Sequence, residues 1–568
     1  MIGRCPQIVL TAVPIAAAAL SLAAAPASQW PVTLVDVAAA AGLTRPSVYG
    51  GVEKKRFIIE TNGAGVALVD VDGDGLLDAF VLNGTRLAEG TRENQAWPAG
   101  EAPTAHLYRN AGTGRFTDIT VGSGLERVAW SSSVCAGDYD NDGRTDLFTT
   151  AYGTNALYRN QGGGRFDDVT ATAGLPTAGV RWGSGCTFLD YDRDGRLDLF
   201  VSNYLRLDLA TAAEPGQGVN CLWKGIPVNC GPKGLPTDTN LLYHQESDGS
   251  FRDVSEASGI AAVTKRYSMT AAAADLDEDG WTDIYVASDS TAAILYRNNR
   301  DGTFADRALQ SGTAFSENGM AQAGMGLGLG DYNSDGRLDL LKTHFADDIP
   351  ALYRSLGKGL FEDVATSAGL AVQNRYVEWG AGMPDLDNDG QQDLVYVTGN
   401  VYPEVEARLP EYPYKGPVVV FRNVDGARFA DATTSSGAGV IQPRSSRGAA
   451  FGDFDNDGDV DLLVMNMNER PALLRNDYAG SNGWLMVQLE GRASNRSAIG
   501  ATVRVTFAGR TQAQAVLSQS SYYSHNDVRL HFGLGPHRAV ERIEVRWPSG
   551  AVTLREDVSA GQLVRIRE

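Results

Sequence analysis

The chain has 568 residues, enough for more than one domain and a large core. Lys and Arg total 49 against 69 Asp and Glu, a formal charge of −20. That balance excludes a nucleic-acid binder held by phosphate contacts, and 29 of the acids fall in seven short loops rather than in a bulk acidic tail.

Residues 1–27 read as a secretory signal: Arg4 gives a positive start, Ile8–Ala25 an apolar stretch, and Ala25-Pro26-Ala27 a small-residue cleavage site. Cys5 precedes the apolar stretch and is not placed for lipidation. No later segment is long and apolar enough to span a bilayer, so the mature chain is expected to be exported, as a secreted, periplasmic or cell-surface protein.

A nine-residue acidic pattern then recurs seven times. Its carboxylates and amide stand at Asp70, Asp72, Asp74 and Asp78; at Asp138, Asp140, Asp142 and Asp146; at Asp190, Asp192, Asp194 and Asp198; and at Asp275, Asp277, Asp279 and Asp283. The last three copies use Asp331, Asn333, Asp335 and Asp339; Asp385, Asp387, Asp389 and Asp393; and Asp453, Asp455, Asp457 and Asp461. Position six is Gly in every copy, which allows the sharp turn that lets positions one, three, five and nine converge. Convergent carboxylates repel unless a cation lies between them, and an all-oxygen donor set in a flexible loop selects Ca²⁺ over Mg²⁺. Up to seven Ca²⁺ are expected, cancelling 14 of the negative charges. Position twelve is Val81, Thr149, Val201, Val286, Lys342, Tyr396 and Val464, never the bidentate Glu that an EF-hand needs.

Each acidic loop lies between strand-like runs, and a second string such as HLYRNAGTGRFTDIT (106–120) or ALYRNQGGGRFDDVT (156–170) supplies a Gly-turned hairpin. One repeat is therefore four antiparallel strands, A to D, with the loop joining A to B. The spacing of the loops runs from 52 to 85 residues. This predicts an all-β chain whose main part is a seven-bladed β-propeller spanning 28–480, with a linear solenoid as the alternative. The seventh repeat has ALLRN (472–476) but lacks a fourth strand, and TLVDVAAAAGL (33–43) matches what is missing. A ring closed in this way leaves no free sheet edge.

Long insertions fall between strands B and C, at roughly 84–105, 204–239 and 400–416, on the face opposite the metal loops. Cys221 and Cys230 bracket turn residues in the second insertion and are expected to form a disulfide. Cys135 and Cys186 sit three and four residues before their loops, on opposite strand faces, a parity that permits a bridge between neighbouring blades. Ring positions toward the insertion face carry Trp130, Trp182, Tyr267, Asn203 and His344, candidates for contacting a sugar or peptide or for packing between blades. Arg181 and Arg266 next to two of the aromatics point to an anionic ligand.

From 483 to 568 apolar and polar residues alternate through WLMVQL, ATVRVTF and AVERIEVRW, which predicts a small second β domain. Its Ser and His residues form no triad.

The repeats resemble FG-GAP/VCBS repeats of the integrin α-subunit type, with Phe451-Gly452-Asp453 carrying the literal F-G. The tail resembles the ASPIC and UnbV domain through NRSAIGATVRV (495–505), SHNDVRLHFGLG (524–535) and VRWPSG (545–550). The whole mature chain is similar to bacterial members of the cartilage acidic protein family, without a Cys-rich EGF-like tail. That resemblance implies propeller and calcium loops but names no ligand. Two readings follow: a binding or adhesion module for a glycan or protein, or a calcium-dependent polysaccharide lyase. The lyase would need a base and a charge neutraliser such as His344, Tyr204 and Arg266.

Overall fold

The small-residue runs before each acidic loop become the innermost strands of antiparallel sheets, because only short side chains let strands crowd around a common axis. At Gly65 and Gly326 an added Cβ would lie 1.8 Å from Tyr523 O and 2.0 Å from Trp379 O. The computed structural model describes Met1, Gly3, residues 30–98 and residues 100–568. Apart from Met1 and Gly3, the expected signal segment lies outside the described residues.

Among the described residues the chain up to Asn476 builds sets of four antiparallel strands in succession, five as separate four-stranded sheets and two joined into one eight-stranded sheet through Arg181–Trp182 and Tyr152–Gly153. Their innermost strands are Val66–Val69, Trp130–Gly137, Arg181–Leu189, Ser268–Ala274, Leu327–Gly330, Glu378–Gly382 and Ser446–Gly452. Each packs against the next, and Ser446–Gly452 packs back against Val66–Val69, so the units form a closed ring, a propeller. The seventh unit is completed by Leu34–Asp36, antiparallel to Ala472–Asn476, with Leu34 opposite Asn476 and Asp36 opposite Leu474. Asp36 is further held by Arg444 at 2.8 Å and Arg470 at 2.9 Å. These contacts hold the N-terminal segment in the last unit.

The tail folds as two packed sheets. One runs Leu530–Gly535, Gly483–Glu490, Gln562–Arg567, with the last pair parallel; the other runs Arg510–Ala515, Thr502–Phe507, Ala539–Arg546, Val552–Ser559. Leu485, Val487, Val503, Phe532 and Ile543 fill the space between them, and this core is continuous with Phe148, Phe188 and Leu199 of units two and three.

The connection 516–529 leaves this sandwich and runs along the axis of the ring. It touches the innermost strand of every unit. Val66 N donates to Ser524 Oγ (3.2 Å), Val134 N to Tyr523 O (3.0 Å) and Cys186 N to Gln519 Oε1 (3.2 Å). Tyr523 OH reaches Met269 Sδ (3.2 Å), Leu327 N reaches Ser521 O (2.7 Å), Ala381 N reaches Ser521 Oγ (3.0 Å) and Phe451 N reaches Asn526 Oδ1 (3.1 Å). Tyr522 and Tyr523 are fully buried. The tail plugs the channel.

At the opposite end the three insertions meet. Arg56 and Arg92 both grip Glu214, at 2.7 and 3.0 Å, while Trp223 packs edge-on to Tyr412 with ring centroids 4.9 Å apart. Cys221 and Cys230 are disulfide-bonded within this cover.

Candidate metal centres

The acidic loops share one backbone geometry. Position one accepts the amide of the position-six glycine, as in Asp70 from Gly75 (2.9 Å), Asp138 from Gly143 (2.7 Å), Asp331 from Gly336 (2.8 Å) and Asp453 from Gly458 (2.8 Å). Position five accepts the amide of position seven, and position nine accepts that of position two, as Asp78 does from Val71 (3.1 Å). Position nine also accepts an amide from strand C, for example Asp146 from Asn160 (2.7 Å) and Asp461 from Asn476 (2.8 Å). These bonds turn the carboxylates inward before any ion arrives.

Burial and mutual repulsion act against their ionisation. Burial pushes Asp78, Asp190, Asp331 and Asp453 up to about 7, against the backbone amides that favour the charged form. Asp146 rises to about 8, and Asp283, Asp339, Asp385, Asp393 and Asp461 rise well above the usual range, first by desolvation and then by neighbouring aspartates. The position-three oxygens tell the same story. Asp72, Asp192, Asp387 and Asp455 each leave a buried Oδ1 with no hydrogen-bond partner, as do Asp275 Oδ1 and Asp339 Oδ2. Buried carboxylate oxygens are not normally left unsatisfied. Orphan oxygens, convergent carboxylates and clusters such as Asp70/Asp72/Asp78 and Asp138/Asp140/Asp146 fit a hard divalent cation.

One partner of these loops went unassigned in the sequence, although its string recurs. The Arg of the Tyr-Arg-Asn string, Phe-Arg-Asn in unit six, reaches the position-three carboxylate: Arg109 to Asp72 at 2.9 Å, Arg159 to Asp140 at 2.6 Å and Arg422 to Asp387 at 3.5 Å. Unit three carries His244 there, with Nδ1 3.1 Å from Asp198 and 3.5 Å from Asp192. The tail domain also grips the loop face. Ala513 N donates to Asp331 Oδ2 (3.0 Å), Arg529 Nη2 to Asp453 O (2.6 Å), and Asp138 N to Ser497 Oγ (2.8 Å).

The ring residues, candidates for ligand contact or for packing between blades, lie among packing partners. Trp130, Trp182, Tyr267, Asn203 and His344 are all buried. Trp130 donates to Asn94 (2.8 Å) and meets Tyr49 edge-on. Trp182 lies between Tyr152 and Tyr204, and Tyr267 donates to Leu235 O (2.8 Å). Asn203 donates to Thr239 O (2.8 Å), and His344 Nδ1 sits 2.8 Å from Ile349 O. The insertions cover this ring, so large aromatics there bury area instead of facing solvent. Arg181 is taken up by Asp238 at 2.7 Å. Tyr204 bonds Asp289 (2.5 Å) and His344 bonds Ile349, while Arg266 lies near Asp306 (4.0 Å), so no shared site for these three emerges from their partners.

The expected Cys135–Cys186 bridge is also corrected. Both are free, buried thiols. They are close enough to interact, and burial followed by the neighbouring thiol drives Cys135 well above the ordinary thiol range. Ser133 Oγ (3.6 Å), Phe148 O (3.7 Å) and Gln519 of the plug (3.8 Å) surround Cys186 Sγ.

Comparison with known proteins fits this geometry. The profile of the FG-GAP-like repeat matches residues 97–149, 138–201, 234–286, 275–341 and 385–464, and that of ASPIC and UnbV matches 491–568. Cartilage acidic protein 1 of Mus musculus is 23% identical over 523 residues, covering 87% of this chain and 72% of that protein. The Xenopus tropicalis protein of the same name is 23% identical over 539 residues, covering 88% and 72%. Among solved structures, PorZ, a surface component of the type-IX secretion system of Porphyromonas gingivalis, aligns at 9% identity and a TM-score of 0.38, covering 89% of this chain and 60% of that one. A likeness at that score carries no argument. Among the described residues no helix is long and apolar enough to cross a membrane.

Proposed function

Since the chain belongs to the FG-GAP-like repeat proteins and carries a terminal ASPIC and UnbV domain, we propose that it is an exported, calcium-stabilised propeller that acts as a binding or adhesion module for a glycan or protein. The observation that carries the reading is the set of convergent loop carboxylates with orphaned buried oxygens. In each loop the side chains of positions one, three, five and nine and the carbonyl of position seven would hold one Ca²⁺. The bound ion supplies the positive charge that lets those carboxylates ionise while buried.

The proposed division is a propeller over 28–480 and a tail domain over 483–568 that covers the metal face and fills the channel. Outer surfaces then remain for a macromolecular ligand. The insertion face is the better supported one, because the disulfide fixes a loop there that exposes Val219 and Leu222. The lyase reading loses ground, since its three candidate residues have separate partners.

Glycan-array binding of the mature protein, with calcium and with chelator, tests the reading. Calcium-dependent retention of a glycan or protein supports it. Release of unsaturated, ultraviolet-absorbing sugar products would replace it with the lyase.

A further inference from the structure

The metal loops are chained around the ring. Position four of every loop lies in the left-handed region, and in loops two to seven its side chain reaches the loop of the next unit. Asn141 Nδ2 donates to Gly195 O (3.2 Å), Ser334 Oγ to Gly390 O (3.3 Å), Asn388 Nδ2 to Asp459 Oδ1 (2.7 Å) and Asn456 Nδ2 to Gly75 O (3.2 Å). Arg193 bonds Gly280 O, and Glu278 pairs with Arg337 at 3.6 Å. Only loop one has glycine at this position. Gly73 has no side chain to offer loop two, and the chain of contacts breaks there.

A cavity of about 660 Å³ opens at that break, between loops one and two and the tail domain. This is the size of a small-molecule site, and it lies at an interface between domains, where such sites concentrate. One wall is apolar, with Leu68, Leu489, Ile499 and Ile566. The charged lining is five arginines (144, 496, 529, 565 and 567) and five carboxylates (Asp70, Asp72, Asp138, Glu490 and Asp527). These cancel, and a divalent ion in each of loops one and two would be offset by the remaining carboxylates of those loops, Asp74, Asp78, Asp140, Asp142 and Asp146, so the lining gains no positive excess. Four of the arginines have carboxylate partners: Arg144 on Asp142, Arg496 and Arg567 on Glu490, and Arg529 on Asp527. Arg565 has none. Its one hydrogen-bond partner among the described residues is Gln488 Oε1, at 3.0 Å.

We propose that this cavity binds a small organic carboxylate, of the size of a one- or two-ring acid sugar, with Arg565 as the anchoring cation and the ion of loop one as the second. A guanidinium fork and a hard cation both select oxyanions, and the apolar wall accepts the face of a ring. The proposal rests on the calcium reading above and adds a ligand class and a place.

Digalacturonate titrated calorimetrically into the full mature chain, preloaded with calcium and dialysed, tests it. Digalactose serves as the neutral control, and sulfated and phosphorylated galactose as the other oxyanion sources. The expected result is saturable binding of digalacturonate with calcium, none of digalactose, and affinity at least tenfold weaker for Arg565→Ala. Gly73→Asn should weaken it as well, by placing a side chain across the break. Its φ of +78° suits Asn, which stands at this position in loops two, six and seven, and an added Cβ meets nothing within 4 Å. Unchanged affinity in both variants, equal binding of digalactose, or a preference for sulfate or phosphate would overturn the proposal. Parallel melting curves separate the two claims: calcium stabilisation without digalacturonate binding sinks the cavity site alone, while no calcium stabilisation sinks the metal reading beneath it.

Discussion

Replacing Tyr522 tests whether the tail segment is part of the ring's core. Its ring stacks on Tyr523 with centroids 3.9 Å apart and meets Trp379 edge-on at 4.9 Å, and its hydroxyl donates to Asn62 O at 3.1 Å. Tyr522→Phe keeps the rings and removes one buried hydrogen bond, for a cost of about 1 kcal/mol. Tyr522→Ala removes the ring as well and leaves a cavity among residues that cannot close it, because they are strands held by the whole propeller. Large-to-small aromatic substitutions of this kind cost about 3–5 kcal/mol. The difference between the two variants, about 2–4 kcal/mol, measures the packing of the plug. Denaturant unfolding of the full calcium-loaded chain reads both. If Tyr522→Ala lies within about 1 kcal/mol of wild type, a cost far below that of a buried ring, the segment does not fill the channel.

Other consequences are as direct. The buried loop aspartates have folded values raised above 3.8, so the metal-free fold binds more protons than the unfolded chain between pH 4 and 7 and loses stability as pH rises through that window. Calcium must displace those protons, so its stabilisation should be larger at pH 8 than at pH 5.5, and calorimetry in buffers of different ionisation enthalpy should register proton release on binding. Asn333 brings an oxygen but no charge to loop five, so Asn333→Asp should tighten the weakest site in a calcium titration. Thiol counting on the unfolded, unreduced mature chain should find two free thiols, Cys135 and Cys186, and Cys221→Ser should cost roughly 2–3 kcal/mol in the chain-entropy picture of a short loop. Four thiols would refute the bridge.

Much of the fold could be read from period and chemistry. Asp at alternate positions before Gly declares a cation loop, the Val- and Leu-rich runs beside it declare strands, and the pattern repeats at a length that suits a propeller unit. The docking of the tail was hidden. The string SQSSYYSHND has no periodicity of two or of 3.6, and its two tyrosines suit an exposed loop as well as a filled channel. The aromatics Trp130, Trp182 and Tyr267 were ambiguous for a related reason: a ring can stack on a sugar or on another ring, and only the fold of the insertions decides which. Strand parity brought Cys135 and Cys186 near each other but could not say whether they are bonded. The Arg in Tyr-Arg-Asn recurs plainly, yet its reach to the position-three aspartate depends on how strand C crosses strand B.

Calcium content decides the central claim. The mature chain, equilibrated with micromolar to millimolar calcium and analysed for bound metal, should approach seven ions per molecule, the fifth loop filling last, with a melting temperature that falls sharply in excess chelator. A chain that holds no calcium and melts at the same temperature with and without chelator would contradict the account.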